Sequence, residues 1–314
     1  MAYDIWYYLH TVMKSLSLIV PYYNRQENFG KMLGSLQAMR EMPEEIILVN
    51  NLADDAMLRQ VQCFRQDMIG RCEVKLETCS HRGACAARNK GLAAASCDYV
   101  YFFDSDDEMS PDFIERVHAD IRNGEAELFV YVTRIIGADG GMHIRNYGCS
   151  PRPSYQILSS FLTTQSMVIN KNFLLFAGGW NEDVDYWNDW ELGIRLLLHH
   201  PKIKYFADKS FHKIYAHANS ITGSSFSERF EAICHVFDIV SDEIDEDRDV
   251  DALYYRKAII AGKIKHEGRA DLAKQLFNVS LLQKQRIFCK YMSMFLYHYA
   301  AIGIPGAWKL ATKF

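Results

Sequence analysis

The sequence predicts an α/β protein built on a mainly parallel sheet with helices on both faces, followed by a C-terminal helical region. Apolar, strand-like runs alternate four times with helix-like segments in the first 125 residues, and such alternation is typical of a parallel sheet. Shorter strand-like patterns follow as far as residue 215. From Ser225 onward the apolar residues recur mainly at helical spacing.

Sequence signals bound the elements of the first half. A buried strand at 16–20 is stopped by Pro21, and a helix over 29–39 follows, with Asn24 as its predicted N-cap. The Ser110–Pro111 pair predicts the start of a later helix, as N-cap and first helical residue. Further strands are predicted at 46–49, 73–77 and 99–103, and further helices at 54–68 and 83–95.

Shorter elements are predicted after residue 125. Residues 127–147 are typical of a β-hairpin that turns at 138–141, and Pro151–Pro153 marks a break. Residues 258–282, within the helical region, have the pattern of a helix–turn–helix unit. The remaining strands are expected at 166–170, 202–206 and 211–215, with a helix at 187–200.

Composition excludes some classes of protein. A chain of 314 residues that is 49% hydrophobic and 24% charged can bury a sizeable core. Its formal net charge of -4 argues against a nucleic-acid-binding protein, which normally has a basic surplus. The eight cysteines include no C-x-x-C pair, and the first residues lack the pattern of a signal peptide. We therefore expect a cytoplasmic protein with reduced thiols, and an N-terminal extension over residues 1–14.

Polar loops follow three of the predicted strands. These loops contain Tyr22–Asn24, Asn50–Asn51 and Asp104–Asp107. In open α/β sheets, ligands bind beyond the carboxyl ends of the strands. The three loops are therefore expected to border one crevice.

The loop after the fourth strand is rich in carboxylates. Asp104, Asp106 and Asp107 suit a hard divalent cation whose remaining ligands are phosphate oxygens. One alternative is a solvated acidic turn that caps the next helix. This role would account in part for the presence of Asp107 and Glu108. A calcium-binding loop is excluded, because Met109 occupies the position that requires glycine.

Seven sequence motifs occur in a fixed order. In the first half they are Pro21–Arg25 (PYYNR), the strand ending at Asn50–Asn51, Ala87–Gly91 (ARNKG) and Asp104–Asp107 (DSDD). In the second half they are 178–182 (GGWNE), 188–192 (NDWEL) with Arg195, and 214–220 (IYAHANS). Together these motifs resemble the family 2 glycosyltransferases, of the bacterial type that builds surface polysaccharides. The resemblance covers residues 15–125 and 160–222.

The resemblance implies a GT-A nucleotide-diphospho-sugar transferase fold. It implies a catalytic domain over 15–222, with a donor-binding half at 15–125 and an acceptor half at 126–222, followed by a helical region at 223–314. The implied activity is inverting transfer of a sugar from a nucleoside-diphosphate-sugar, with a UDP-sugar favoured, to a hydroxyl of a glycan or lipid-linked acceptor. The implied cofactor is Mn²⁺ or Mg²⁺.

The motifs also imply roles for individual residues. Asp106 matches the second Asp of the D-x-D motif and is expected to ligate the metal, while Asp104 contacts the ribose or also serves the metal. Asp189 is the expected general base, with helix capping as the alternative. Arg88 is expected to bind the diphosphate, or else to be an exposed helix arginine in a salt bridge. The other expected site residues are Pro21, Tyr23, Asn24, Glu27, Asn50 and Ser105 for the donor, Trp187 and Trp190 for the acceptor, and His217 for the metal.

For some of these residues a structural role is equally open. Tyr23 suits the edge of the core as well as the donor pocket, one of the two tryptophans is expected in the core, and a lone His217 is more often structural. Two positions also depart from the family pattern, because Asn50 and Asn188 stand where acidic residues are usual. Asn50 still offers an acceptor and a donor to a uracil edge. A neutral residue 188 removes a like-charge effect that would raise the pKa of Asp189.

The C-terminal region ends in an apolar and aromatic segment at 287–304 that is flanked by lysines 284, 290, 309 and 313. It is too short and too polar for a transmembrane helix, which needs ~20 mainly apolar residues. Two interpretations stay open. The segment packs on the catalytic domain or a second subunit, or it lies on the inner face of a membrane as an interfacial helix.

Two other functions are considered for the whole chain. A catalytically inactive nucleotide-sugar-binding protein is supported only by the departures at Asn50 and Asn188. A sugar nucleotidyltransferase requires a glycine-rich phosphate loop after the first strand, and residues 21–27 contain none. A dinucleotide-binding dehydrogenase is disfavoured, because no G-x-G-x-x-G follows a strand.

Overall fold

The structure, a computed structural model, describes residues 14–23, 28–137, 140–215, 225–278 and 286–313. Within them the strands are β1 (Leu16–Tyr22), β2 (Glu45–Asn50), β3 (Glu73–Thr78), β4 (Tyr99–Phe102), β5 (Glu108–Met109), β6 (Leu128–Tyr131), β7 (Thr133–Ile136), β8 (Met142–Arg145), β9 (Met167–Asn170), β10 (Ile203–Phe206) and β11 (His212–Tyr215). The helices are α1 (Phe29–Gln37), α2 (Asp55–Asp67), α3 (Ala84–Ala94), α4 (Phe113–Arg122), α5 (Pro153–Ser159), α6 (Lys171–Phe176), α7 (Asn188–Leu198), α8 (Phe230–Glu243), α9 (Asp247–His266), α10 (Ala270–Leu276), α11 (Ile287–Ala301) and α12 (Ala307–Ala311).

A seven-stranded sheet in the order β10-β6-β9-β4-β1-β2-β3 forms the centre of the fold. Strands β1 to β4 pair in parallel, as do β10 and β6. Only β9 runs antiparallel to its neighbours among the described strands of this sheet. Apolar clusters cover both faces, one with α1, α2 and α4 and the other with α3 and α7. The predicted α/β class with a mainly parallel sheet is therefore confirmed.

Strand β1 continues through Pro21 instead of ending before it. Its pairing with β4 ends at Ile19, whereas its pairing with β2 continues to Tyr22. The Tyr22 carbonyl accepts a hydrogen bond from the Asn51 amide on the β2 side. Because backbone groups alternate in direction along a strand, the Pro21 nitrogen faces the β4 side, where the ladder has ended. The missing N–H of proline therefore costs no ladder hydrogen bond.

Helix α4 begins two residues later than the sequence predicts. Its N-cap is Asp112, so the prediction of Ser110 as N-cap is wrong. The Ser110 hydroxyl instead donates to the Asp112 carboxylate (2.6 Å), and the Ser110 amide donates to the Phe211 carbonyl (2.6 Å). Residues 110–112 are thus held against the chain that enters β11 rather than wound into the helix.

The predicted hairpin at 127–147 belongs to two sheets. Strands β7 and β8 form the hairpin, but β6 joins the large sheet between β10 and β9. The hairpin extends a second, four-stranded sheet in the order β5-β11-β7-β8. This small sheet brings the segment that follows β4, through β5, next to β11.

Strand β9 determines which residues meet the end of β4. The two strands are antiparallel, with Tyr101 opposite Val168, so the start of β9 lies beside the carboxyl end of β4. A 3-10 turn at Thr164–Ser166 immediately precedes β9. This turn therefore lies next to the carboxylate loop, a proximity that the sequence alone does not reveal.

Two short helices, α5 and α6, were not predicted from the sequence. Helix α5 begins at Pro153, in the segment predicted as a break, and α6 directly follows β9. Proline is compatible with the first turn of a helix, since its missing N–H would have no partner there in any case.

The C-terminal helices share one apolar core with the second half of the sheet region. Helix α9 packs mainly on α11, α10 and α5. Arg256 of α9 reaches across this core, where it donates to the Leu158 carbonyl (3.1 Å) and lies over the ring of Trp187, 4.9 Å from its centroid. The predicted helical character of this region is confirmed, and α9 and α10 form the expected helix–turn–helix unit as far as residue 278.

No helix in the described parts of the chain is long and apolar enough to cross a membrane. All eight cysteine thiols are free. Several predictions fall outside the described residues: most of the extension at 1–14, the N-cap Asn24, Glu27, His217 and Lys284.

Candidate active site

A cavity of about 480 Å³ opens beyond the carboxyl ends of β1 and β4. Its wall consists of the loop after β1, Asn51 after β2, the start of α3, residues 104–107 after β4, Thr164, segment 185–189 and the end of β11. The loops after β1, β2 and β4 thus border one crevice, as the position of their strands predicts.

Asp104, Ser105 and Asp106 all line this cavity. The Asp104 carboxylate accepts hydrogen bonds from Arg88 Nη2 (2.9 Å) and from Gln165 Nε2 (2.7 Å). Ser105 is buried, while Asp106 is half-buried at the cavity wall. The predicted acidic loop is therefore placed where a ligand beyond the sheet edge would reach it.

Arg88 of α3 contacts both the loop after β4 and the start of α7. Its guanidinium donates to Asp104 and to the Asn188 side-chain oxygen (3.3 Å), and it lies over the ring of Trp180, 4.4 Å from the centroid. Arg88 is only 5% exposed. The alternative of an exposed helix arginine is wrong, although the salt bridge it included is present. The side chain holds a positive charge at the cavity wall, between the loop after β4 and the start of α7.

The A-R-N and G-G-W motifs are in direct contact. Asn89 donates to the Trp180 carbonyl (2.8 Å) and to the Glu182 carboxylate (2.8 Å), and it accepts from the Trp180 amide (2.9 Å). Gly179 has a φ of 70°, and a Cβ there would lie 3.0 Å from the Asn89 side-chain oxygen. Glycine is therefore required both by the left-handed backbone and by the close approach of Asn89.

Asp107 is a buried acceptor rather than a helix cap. It accepts from Gln165 Nε2 (2.6 Å) and from the Tyr215 backbone N–H (2.9 Å). Glu108 likewise belongs to β5 and pairs with Lys213 of β11 (3.0 Å). The capping explanation for these two acids is wrong, because α4 begins only at Phe113.

Gln165 is the main site residue that was not predicted from the sequence. One amide nitrogen of this buried side chain donates to both Asp104 and Asp107. No motif marks Gln165, and only the antiparallel insertion of β9 brings it to the acidic loop. It acts as a positioning residue that fixes both carboxylates.

Gln165→Leu is expected to lower the free energy of unfolding by about 2 kcal/mol, since two carboxylates then lose a donor. Urea denaturation at neutral pH measures this change. Gln66→Leu, at an exposed amide on α2, is the matched control and should leave the unfolding free energy nearly unchanged. Equal effects of the two substitutions would contradict a specific role for Gln165.

Asp189 lies in the first turn of α7 and lines the cavity. Burial raises the pKa of its carboxyl, the positive charges of Arg145 and Arg88 oppose this, and the Asp104 charge adds to the rise. The N-cap of α7 is Trp187, so Asp189 is not the cap that the structural alternative required. The pKa of Asp189 is raised although residue 188 is neutral. A carboxylate with a raised pKa holds a proton more firmly, which suits a general base.

The two tryptophans of this segment have different positions. Trp190 is 1% exposed, and its indole N–H donates to the Ile157 carbonyl (3.1 Å). Trp190 is therefore the tryptophan that was expected in the core, and the contact with the acceptor predicted for it is wrong. Trp187 lines the cavity with a φ of 58°. Its contact with the acceptor stays a prediction.

The loop after β1 supplies Pro21 and Tyr23 to the cavity wall. Tyr23 is 40% exposed, and the Arg82 guanidinium lies 5.7 Å from its ring centroid, so a core-edge position is wrong. From the loop after β2, the cavity is lined by Asn51 and not by Asn50. The Asn50 side-chain oxygen accepts from the Ala53 amide (2.8 Å), which closes a local turn. The proposed contact of Asn50 with a base stays a prediction.

Five aspartates line the cavity, and Asp104 and Asp106 are the two that are expected to hold a divalent ion. Within the described ranges, no cluster of three or more His, Cys, Asp or Glu side chains could hold a metal ion, and His217 lies outside those ranges. Asp104 and Asp106 remain, and each carboxylate oxygen can accept more than one bond. Mg²⁺ commonly binds one or two carboxylates and completes its shell with substrate phosphates and water. The residues present fit a metal that arrives with a diphosphate.

Curated proteins with similar sequences are bacterial glycosyltransferases. An uncharacterized glycosyltransferase YibD from Escherichia coli (strain K12) is 32% identical over 100 residues, which cover 32% of this chain and 28% of that protein. The GalNAc(5)-diNAcBac-PP-undecaprenol beta-1,3-glucosyltransferase from Campylobacter jejuni is 31% identical over 117 residues, covering 37% of this chain and 38% of the relative. The chain therefore spans well under two thirds of the length of these relatives.

Solved structures share the fold over most of the chain. Staphylococcus aureus TarS 1-349 in complex with UDP-GlcNAc has a TM-score of 0.59 at 16% identity, covering 91% of this chain and 81% of that one. The mannosyltransferase PcManGT from Pyrobaculum calidifontis, in complex with GDP-Man and Mn²⁺, has a TM-score of 0.59 at 14% identity, with coverages of 96% and 84%.

The family model described as glycosyl transferase family 2 matches residues 17–177, which is just over half of the chain. The matched range includes β1, α3 and the carboxylate loop, which together form much of the cavity wall. The protein belongs to the family 2 glycosyltransferases and has their GT-A fold.

Proposed function

We propose that this protein is an inverting glycosyltransferase that moves a sugar from a nucleoside-diphosphate-sugar to a hydroxyl of a glycan or lipid-linked acceptor. The observation that carries the proposal is one cavity with two kinds of acid. Asp104 and Asp106 lie on one wall, Asp189 lies on another, and Arg88 joins the two walls through Asp104 and Asn188. Such a cavity places a positive charge for a leaving diphosphate beside a candidate base for an acceptor hydroxyl.

The donor occupies the part of the cavity beyond β1 and β4. Pro21 and the exposed ring of Tyr23 border the nucleoside, and the Arg88 guanidinium provides a charge-assisted donor for the diphosphate. A UDP-sugar is favoured, because the similar TarS structure contains UDP-GlcNAc. The similar mannosyltransferase structure contains GDP-Man, so guanosine is the alternative to test.

A divalent ion, Mn²⁺ or Mg²⁺, would be held by Asp106 together with Asp104. When bound, such an ion offsets the negative charge that develops on the departing diphosphate. Gln165 fixes the orientation of Asp104. The similar mannosyltransferase was solved with Mn²⁺, which supports this choice of cofactor.

Asp189 is the base in the proposed displacement. The acceptor hydroxyl oxygen attacks the anomeric carbon and its proton passes to the Asp189 carboxylate. The bond between that carbon and the diphosphate oxygen breaks, with its electron pair leaving on the diphosphate. A single displacement inverts the anomeric configuration and requires only one base, whereas glycosidases use two catalytic carboxylates.

Two alternatives make different predictions. A catalytically inactive nucleotide-sugar-binding protein would bind the donor but neither transfer nor hydrolyse its sugar. A sugar nucleotidyltransferase would prefer a nucleoside triphosphate. The raised pKa of Asp189 at the cavity wall favours the transferase over the inactive binder.

A thermal-shift panel tests the donor site. UDP, GDP, CMP, dTDP and UTP are each added with and without Mn²⁺. We expect UDP with Mn²⁺ to give the largest rise in Tm, because a ligand at about a hundred times its Kd stabilises the folded state by about 2.7 kcal/mol. Mn²⁺ alone should have little effect, since two carboxylates form an incomplete site.

The other outcomes separate the alternatives. A larger shift with UTP than with UDP would favour the nucleotidyltransferase. Stabilisation by UDP, without either transfer to sugar acceptors or hydrolysis of UDP-sugars, would favour the inactive binder. The absence of a shift with every nucleotide would remove the proposed donor site.

A further inference from the structure

One face of helix α11 is exposed and carries no charged group of the Asp, Glu, Lys or Arg type. It consists of Ile287, Phe288, Tyr291, Phe295, His298 and Ile302. The exposed fraction of the five apolar or aromatic members ranges from 51% for Phe295 to 76% for Ile287. Large exposed apolar patches on soluble proteins usually mark an interaction surface.

The opposite face of α11 is buried against α9. Cys289, Ser293, Leu296 and Ala300 are buried, and α11 packs on α9 through this side. At 100° per residue, the exposed set falls within one stripe on the other side of the helix. Packing on the core that the structure describes therefore accounts for one face of α11, and Ile287, Tyr291, Phe295 and Ile302 stay exposed on the other.

A second cavity of about 550 Å³ adjoins this stripe. Phe288 belongs to both features, and the cavity wall also contains Arg152, Arg248 and Arg286. Arg286 pairs with Asp251, the one acid of this wall, and more distantly with Asp247 (3.6 Å). Arg152 and Arg248 form no ion pair with any residue that the structure describes. The cavity thus offers two uncommitted guanidinium groups beside an apolar surface.

We propose that α11 and this arginine-lined cavity form a docking surface for an anionic phospholipid membrane. The apolar stripe would enter the boundary between headgroups and acyl chains, and Arg152 and Arg248 would bind lipid phosphates. Half-buried Lys290 on the flank of α11 and exposed Lys309 on α12 add positive charge near the same surface. An uncharged apolar face with basic flanks is the pattern of helices that lie in a membrane interface.

The charge pattern favours a membrane over a second copy of the chain. In a symmetric dimer each surface meets its own copy, so the arginines of one subunit would approach those of the other. Such a contact brings Arg152 and Arg248 of the two copies together, while Asp251 of the same wall is already paired with Arg286. An anionic bilayer supplies both the apolar interior and the phosphates.

Vesicle flotation of the full chain tests the proposal without any transfer assay, so the result does not depend on the proposed function. Vesicles of phosphatidylglycerol mixed with phosphatidylcholine are compared with phosphatidylcholine alone. We expect flotation with the anionic vesicles only. The Tyr291→Ser, Phe295→Ser variant should lower the partition coefficient by about tenfold or more. Arg152→Glu with Arg248→Glu should lower it by at least about twentyfold.

Matched variants control for general effects of the substitutions. Leu175→Ser with Phe176→Ser replaces two exposed apolar residues of α6, and Arg59→Glu with Arg65→Glu reverses two exposed charges of α2. Both should float like the unmodified chain, and thermal unfolding confirms that every variant is folded.

Several results would overturn the proposal. These are no flotation of the unmodified chain, equal flotation with uncharged vesicles, or losses in the control variants that match those at α11 and the cavity. A dimer in sedimentation velocity that dissociates in the Tyr291→Ser, Phe295→Ser variant would assign the stripe to a second copy instead. A thermal shift with inorganic phosphate but no flotation would make the cavity a site for soluble anions.

Discussion

Asp189→Asn is expected to lower kcat by about a hundredfold to ten-thousandfold while donor affinity changes little. Asparagine has nearly the same size and can remain in the first turn of α7, but its amide cannot accept the acceptor proton. Because burial raises the pKa of Asp189, the acidic limb of the pH profile of the unmodified enzyme should lie above the usual range for an aspartate. Steady-state kinetics across pH, with donor Kd from calorimetry, measure both effects.

Asp185→Asn is the matched control for this substitution. Asp185 lines the same cavity in the loop before α7 and is exposed. Its replacement should leave kcat and the acidic limb nearly unchanged. Equal losses of kcat in both variants, or parallel losses of kcat and donor affinity in Asp189→Asn, would contradict the assignment of Asp189 as the base.

Asp106→Ala is expected to lower Mn²⁺-dependent transfer by about a hundredfold to a thousandfold, because several kcal/mol of charge stabilisation on the leaving diphosphate would be lost. The protein should stay folded, since Asp106 is only half-buried at the cavity wall. A titration of activity with Mn²⁺, and of UDP binding with and without Mn²⁺, measures the change. The gain in UDP affinity that Mn²⁺ gives the unmodified chain should largely disappear.

Asp67→Ala serves as the control for Asp106→Ala. Asp67 is an exposed acid at the end of α2, where it accepts from Gln37 (2.9 Å). The control should retain both Mn²⁺ dependence and transfer. An Asp106→Ala enzyme with the same Mn²⁺ response as the unmodified chain would remove Asp106 from the metal site.

The first half of the fold follows from local sequence patterns. Strands β1 to β4 and helices α2 and α3 are apolar or amphipathic runs bounded by capping and turn residues, and these patterns are readable one segment at a time. The errors occur where tertiary contacts decide. Pro21 remains in β1 because the β4 ladder has already ended, and Ser110 is drawn to Asp112 and Phe211 instead of capping α4.

In the candidate site, too, the residues within local motifs were predicted and those that depend on tertiary contacts were not. Asp104, Asp106, Arg88 and Asp189 are predicted to work together, and the structure places all four at one cavity. Gln165 was missed, and which of the two tryptophans lies in the core was left open, because each depends on partners distant in sequence. Gln165 reaches Asp104 only through the antiparallel course of β9, and Trp190 is enclosed by the C-terminal helices.

Arg256 has a consequence for exchanging parts between related enzymes. Its guanidinium, on α9, holds the Leu158 carbonyl of α5 and covers the ring of Trp187 beside the cavity. A chimaera that replaced only the chain after residue 222 would exchange this contact for an unrelated one and disturb the wall next to Asp189. The smallest segment that can be transplanted with its packing intact therefore begins before α5, so swaps meant to alter acceptor choice need to include α5 and α7 with the C-terminal helices.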